Sequence, residues 1–214
     1  MNRETRALRI AGPAGVIEAA ADEPVLIAGA ALRGVAVLCH PHPQFGGTMD
    51  NKVVQTVARA FLQLGYRALR FNFRGVGASE GAWDEGRGEV DDALAVIAAA
   101  RDTALPLALA GFSFGGAIAA QVAQRLSQST AAVERLVLIA PAVTRFEVPA
   151  VAPGTIVIQG EADDVVPMSA TLDWARPQAL PVIVLPGVGH FFHGQLPLLK
   201  AQVVQAWHHG TLDR

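Results

Sequence analysis

Gly111-Phe112-Ser113-Phe114-Gly115 decides the reading of this chain. It matches the G-x-S-x-G elbow, in which a serine sits on a sharp turn between a strand and a helix. The flanks suit that turn. Leu107-Ala108-Leu109-Ala110 reads as a buried strand, and Gly116-Ala117-Ile118-Ala119-Ala120-Gln121-Val122-Ala123 reads as a helix. A side chain two residues before or after the serine would collide with the turn, which accounts for both glycines. The serine oxygen is then presented at a helix N-terminus, where developing negative charge is favoured.

Outward from the elbow, strand-like and helix-like runs alternate. Val35–Cys39 reads as a strand, and residues 50–64 have helical apolar spacing through Val53, Val54, Val57, Phe61 and Leu64, ending at Gly65. Arg67–Asn72 is the next strand, and 89–101 is helical, with Val90, Leu94 and Ile97 on one face. After the elbow helix come strands at Arg135–Ala140, Thr155–Gln159 and Pro181–Leu185, then a helix from Leu196 to His209. Such alternation predicts an α/β fold, a doubly wound and mostly parallel sheet of seven or eight strands. Arg6–Ile10 and Gly15–Ala21 differ: they read as an antiparallel edge hairpin turning at Gly12-Pro13. No repeat or linker interrupts the chain, so residues 1–214 are expected to form a single domain.

Composition narrows the class. With 51% hydrophobic residues the chain can bury one sizeable core. Its 17 basic and 19 acidic residues leave a net charge of -2 with no basic stripe, so nucleic acid is not an expected partner. Cys39 is the one cysteine and lies in an apolar strand, where it reads as a small buried residue. The first residues carry no apolar signal-peptide core, and no stretch suits a bilayer span. The expectation is a cytoplasmic protein with no membrane association.

A serine hydroxyl is a weak nucleophile and needs a base, which in turn needs an acid to orient it. Both follow Ser113 in the order Ser, Asp, His. The strand at 155–159 runs into Gly160-Glu161-Ala162-Asp163-Asp164, and the strand at 181–185 runs into Pro186-Gly187-Val188-Gly189-His190. Each candidate follows the carboxyl end of a strand, the edge at which open α/β sheets bind ligands. From the residues alone, Asp163 and Asp164 both qualify as the acid. His190 follows small residues that suit a tight loop reaching back to the serine, whereas His193 suits the start of the last helix or the pocket wall. Phe114, next after Ser113, is expected to supply one backbone N–H to an oxyanion hole. The second donor should come from the loop after Val35–Cys39, where Pro41 and Pro43 are excluded because proline has no N–H.

Three segments together carry a resemblance. They are His40-Pro41-His42-Pro43-Gln44-Phe45-Gly46-Gly47-Thr48-Met49-Asp50-Asn51-Lys52, Arg70-Phe71-Asn72-Phe73-Arg74-Gly75-Val76-Gly77-Ala78-Ser79-Glu80-Gly81, and the elbow. With them the chain resembles the α/β-hydrolase superfamily along nearly its whole length, and most closely a small bacterial branch without a cap. The resemblance implies Ser113 as nucleophile, Asp163 as acid and His190 as base. It favours Asp163 because the acid of similar proteins lies three residues after the strand-ending glycine. It assigns the second oxyanion donor to the His42 N–H, and it puts residues 75–81 after a strand, where they would shape the floor of the active site.

Other chemistries find less support. His40 and His42 have no obvious third ligand, and His40 is expected to brace its loop, so no metal is expected. The glycines at 75–81 do not spell G-x-G-x-x-G, and no phosphate-binding G-x-x-x-x-G-K-[ST] occurs, so no cofactor is expected. Only the fourteen residues from Pro141 to Gly154, three of them prolines, separate the strand at 135–140 from that at 155–159, too few for a helical cap. An open site is expected, with apolar walls drawn from Phe45, Phe112, Phe114, Trp83, Phe146, Phe191 and Phe192. Phe45, Phe112 and Phe191 are the leading substrate contacts. This points to a serine esterase acting on small carboxylic esters, with thioesters as a further class. The alternative is a non-catalytic small-molecule-binding protein that keeps the fold. A homodimer in which a second subunit covers the site is left open.

Overall fold

The computed structural model describes residues 5–27, 30–127 and 132–209. Its strands are β1 (Arg6–Gly12), β2 (Gly15–Asp22), β3 (Gly34–Cys39), β4 (Tyr66–Phe71), β5 (Leu107–Phe112), β6 (Arg135–Ile139), β7 (Ile156–Gly160) and β8 (Val182–Leu185). Its helices are α1 (Lys52–Gln63), α2 (Arg87–Ala100), α3 (Phe114–Leu126), α4 (Met168–Ala175) and α5 (Leu196–His209). The eight strands form one sheet in the order β1-β2-β4-β3-β5-β6-β7-β8. β1 and β2 pair antiparallel, as do β2 and β4, and every other pair is parallel. The fold is therefore a mostly parallel α/β-hydrolase sheet, and the segment between β6 and β7 contains no cap.

β3 and β5 carry no polar side chain other than the Cys39 thiol, because helices cover both faces of the sheet there. Along β3, Val35, Val37 and Cys39 enter a core shared with α2 and α3, while Ala36 and Leu38 enter a core shared with α1 and α5. β5 alternates in the same way, with Leu107 and Leu109 on the first face and Ala108, Ala110 and Phe112 on the second.

Local signals set the helix ends. Asn51 caps α1, its Oδ1 accepting from the Val53 N–H at 2.9 Å. The chain leaves that helix through Gly65 at φ +84°, a left-handed conformation that glycine adopts without steric cost. At the far end, Trp207 of α5 meets Phe61 at 5.2 Å and Tyr66 at 5.3 Å between ring centroids. All three rings are buried, so this contact anchors the helix that follows the His190 loop. The eight-residue α4 has no counterpart in the sequence reading. It is short, and it starts at Pro167 with no side-chain cap to announce it.

Order within the sheet places the chemistry. The chain reverses its direction of winding around β3, which lies between β4 and β5. The loop carrying His42 and the turn carrying Ser113 thus leave adjacent strands, at the crevice where open α/β sheets bind ligands.

Candidate active site

The elbow is strained as its sequence requires. Ser113 has φ +56° and ψ −118°, and its N–H donates to the Ile139 carbonyl at 2.9 Å. A Cβ on Gly111 would lie 2.0 Å from the Gly115 carbonyl oxygen, and one on Gly115 would lie 2.2 Å from that of Cys39. Nothing larger than hydrogen fits at either place, so the serine is held between β5 and α3 with backbone packed against both flanking residues.

Asp163 and His190 come from the loops after β7 and β8. Those loops are joined: Glu161 N–H donates to the Leu185 carbonyl, Ala162 N–H to that of Val188, and the Glu161 carboxylate accepts from Gly187 N–H at 2.8 Å. His190 Nδ1 is 2.7 Å from Asp163 Oδ2, and its Nε2 is 3.1 Å from Ser113 Oγ. A carboxylate only accepts, so Nδ1 carries the ring proton and Nε2 faces the serine with its lone pair. Burial alone would raise the Asp163 carboxyl. Bonds from His190 and from the N–H groups of Val166 and Val165 outweigh it and hold the group below the ordinary carboxyl value. Asp164 is exposed beside it, and His193 is exposed outside the cavity with its ring 5.8 Å from that of Phe191.

One supporting residue escapes the sequence reading. Gln159 is fully buried, donating from Nε2 to Asp163 Oδ2 at 3.0 Å and to the Val166 carbonyl at 2.9 Å. Its Oε1 accepts from the Thr171 hydroxyl at 3.0 Å, which brings α4 into the support of the acid. The available signal was a polar residue closing the apolar run Ile156-Val157-Ile158.

The His40–Lys52 and Arg70–Gly81 segments fasten each other. His40 Nε2 accepts from Phe73 N–H at 3.0 Å, so its Nδ1 bears the proton and donates to the Pro41 carbonyl at 2.6 Å. Desolvation depresses this ring to about 4, so it is neutral as well as buried. Asn72 Oδ1 accepts from Met49 N–H, and Arg70 donates to the Met49 carbonyl and to Asp50. His42 lies at the turn so formed. Its Nδ1 accepts from Gln44 N–H, and its ring packs 4.5 Å from Trp83 and 5.2 Å from Phe114. Desolvation and the charge of Arg145 both lower its affinity for a proton. Among the described residues, the backbone N–H groups of His42 and Phe114 have no acceptor, and both residues line the same cavity as Ser113.

That cavity has a volume of about 380 Å³, and His190, Phe45, Phe146, Phe191, Val165 and Arg145 share its lining. Phe45 is 74% exposed and Phe191 46% exposed, so the rim is open. Other expected walls lie elsewhere. Phe112 is not a substrate contact: as the last residue of β5 it points to the face shared with α1 and α5, and its buried ring lies 4.9 Å from that of His190. Phe192 is likewise core, and Trp83 backs Phe114 and Phe146 from behind. Nor do residues 75–81 form the floor. Ser79 and Glu80 accept from the N–H groups of Glu18 and Val16, which fastens that loop to β2. Among the described residues, no group of three or more metal-ligating side chains is assembled, and no helix is long and apolar enough to cross a membrane.

Comparison with known proteins sets this geometry in context. Residues 30–154 match the family model Hydrolase_4, described as serine aminopeptidase, S33. The chain is 36% identical to a Xanthomonas campestris α/β serine hydrolase without a lid, with 98% of this chain and 96% of that one covered and a TM-score of 0.88. It is also 36% identical to an α/β serine hydrolase homologue from Coxiella burnetii, at 96% and 97% coverage and a TM-score of 0.80. An uncharacterized protein of Rickettsia prowazekii is 37% identical over 142 residues, 62% of this chain and 58% of that protein.

Proposed function

The chain belongs to the Hydrolase_4 family, within the α/β serine hydrolases, and from that premise we propose that it cleaves small carboxylic esters through an acyl-enzyme. Ser113 Oγ attacks the ester carbonyl carbon as its proton passes to His190 Nε2. The displaced electron pair rests on the carbonyl oxygen, which the N–H groups of Phe114 and His42 hold. The tetrahedral centre collapses, the C–O bond to the alcohol breaks, and the leaving oxygen takes the proton from Nε2. Water then attacks the acyl-serine while His190 takes its proton. The second collapse frees the acid and returns the proton to Ser113. Asp163 keeps the ring in the tautomer that faces the serine and balances its charge when protonated.

The observation that carries this reading is the unbroken line from Ser113 Oγ through His190 to Asp163, at 3.1 and 2.7 Å. The family name brings a second reading, removal of an N-terminal residue from a peptide. An aminopeptidase must hold a substrate ammonium group, and a carboxylate is the usual means. Among the described residues, no Asp or Glu lines the cavity, and the one permanently charged side chain there is the cation Arg145. Ester hydrolysis is therefore the better match. A fluorophosphonate probe should label the wild type at Ser113 and leave Ser113→Ala unlabelled. 4-Nitrophenyl butanoate should be hydrolysed at least a hundredfold faster than the corresponding aminoacyl 4-nitroanilides. Labelling that survives Ser113→Ala, or faster turnover of the anilides, overturns the proposal.

A further inference from the structure

Arg145 stands out in the cavity because its surroundings leave its charge unanswered. It lies in the segment that takes the place of a cap, and that segment is firmly held. Ala142 N–H donates to the carbonyl of Ser113 itself at 3.1 Å, and Arg145 N–H donates to the Ala142 carbonyl at 3.2 Å. Two backbone hydrogen bonds thus tie the arginine to the nucleophile. Beyond it, Trp174 Nε1 donates to the Val148 carbonyl and Gln121 Nε2 to that of Glu147, so the following turn is anchored as well. The side chain itself is exposed, lines the cavity, and has no carboxylate partner among the described residues. The lining it shares combines apolar side chains, among them Ala142, Phe146, Val165 and Phe191, with the polar His42, Asn51, Ser113 and His190, and contains no carboxylate among the described residues. The charge is felt inside, where it opposes protonation of the His42 ring. With a net charge of -2, the chain as a whole offers no general attraction for anions, so this attraction is local.

We propose that Arg145 is a specificity-determining residue that binds a carboxylate on the substrate, making the preferred substrate a singly anionic ester such as a half-ester of a dicarboxylic acid. An arginine fork and a carboxylate form paired, charge-assisted hydrogen bonds. The apolar lining takes the carbon chain between the two ends, and the ester carbonyl reaches Ser113. One cation on the lining matches one negative charge. This inference rests on the esterase reading above and specifies its substrate class.

The test uses two pairs of esters matched in size. The first pair is mono-4-nitrophenyl glutarate against 4-nitrophenyl pentanoate, with the carboxylate on the acyl side. The second is 4-acetoxybenzoate against its methyl ester, with the carboxylate on the alcohol side. In the wild type, kcat/KM for the anionic member of at least one pair should exceed that of the neutral member and should fall as salt is added. In Arg145→Gln the anionic-to-neutral ratio should drop about tenfold or more, chiefly through KM, and Arg145→Glu should invert it. The salt response of the wild type needs no variant and keeps the test decisive if either substitution misfolds. Neutral esters turned over with no preference for the anion, or a ratio unchanged in Arg145→Gln, overturn this inference alone. If no ester is hydrolysed and the fluorophosphonate does not react, the esterase reading falls and takes this one with it.

Discussion

His40 and His190 are both buried, both follow the carboxyl end of a strand, and both hold their rings by hydrogen bonds at each nitrogen, yet their surroundings suit them to opposite tasks. Each ring nitrogen of His40 meets backbone: a carbonyl on one side and an N–H on the other. Both partners are fixed, neither exchanges a proton, and burial keeps the ring neutral. His190 has a carboxylate on one side and a hydroxyl on the other. The carboxylate accepts from Nδ1 and so fixes the tautomer, and the hydroxyl faces the free lone pair of Nε2. A buried histidine whose partners are backbone is thus a brace, whereas the acid and alcohol beside His190 fit it to the base role proposed above. The type of partner, more than the depth of burial, makes the difference.

Removing each ring in turn should separate the two tasks. His190→Ala should lower kcat/KM on 4-nitrophenyl butanoate by about 10⁴- to 10⁶-fold with the fold intact by circular dichroism. His40→Gln should cost stability first, with activity per folded molecule retained within about tenfold. Equal losses of activity in the two variants would erase the distinction.

The neutral His40 ring also carries a pH signature. The His40 ring is depressed to about 4 in the folded protein from an ordinary 6.5 when unfolded. Between those values the unfolded chain binds more protons than the native one, so stability falls as pH falls through this window and is complete above it. The contribution lost is about 3 kcal/mol. Urea unfolding from pH 7.5 down to pH 4 should show the wild type losing that much more than His40→Gln, which has no ring to protonate. Parallel pH profiles for the two proteins would contradict the assignment of His40 as a neutral brace.

A smaller effect is expected at Gln159, whose Nε2 donates to the Asp163 carboxylate that holds the His190 ring. Gln159→Leu removes one donor to Asp163 and leaves the Thr171 hydroxyl without its acceptor. The rate on a neutral ester should drop about tenfold, mainly in kcat, since the group supported acts in the transition state. Reaction of Ser113 with the fluorophosphonate should slow in the same proportion. A purely structural role would lower the melting temperature and leave both rates per folded molecule unchanged.

How much of this molecule can be read without coordinates depends on the range over which each feature is determined. The alternation of runs, the glycines of the elbow, the exit of α1 at Gly65 and the absence of a cap are legible because each is a matter of chain-local sterics, periodicity or plain length. Ser113, Asp163 and His190 are legible as candidates because strand ends can be recognised one at a time, and all carboxyl ends of a parallel sheet lie on one edge. What faces what is another matter. Phe112 reads as a pocket wall in the sequence, but β5 is covered on both faces, and its position in the alternation directs it into the core beneath His190. Gln159 looks like the polar end of a strand until α4 and the Asp163 loop close around it. The resemblance puts residues 75–81 on the floor of the active site, yet Val16 and Glu18 of β2 hold Ala78, Ser79 and Glu80 away from it. Arg145 is one exposed arginine among several until the backbone bonds from Ser113 through Ala142 bring it to the cavity. The sequence by itself determined the strands, the longer helices and the reactive side chains that follow the strand ends, but not the short α4. Only the tertiary structure decided the direction each side chain takes, because direction follows from register, from packing on both faces of the sheet and from partners many residues away.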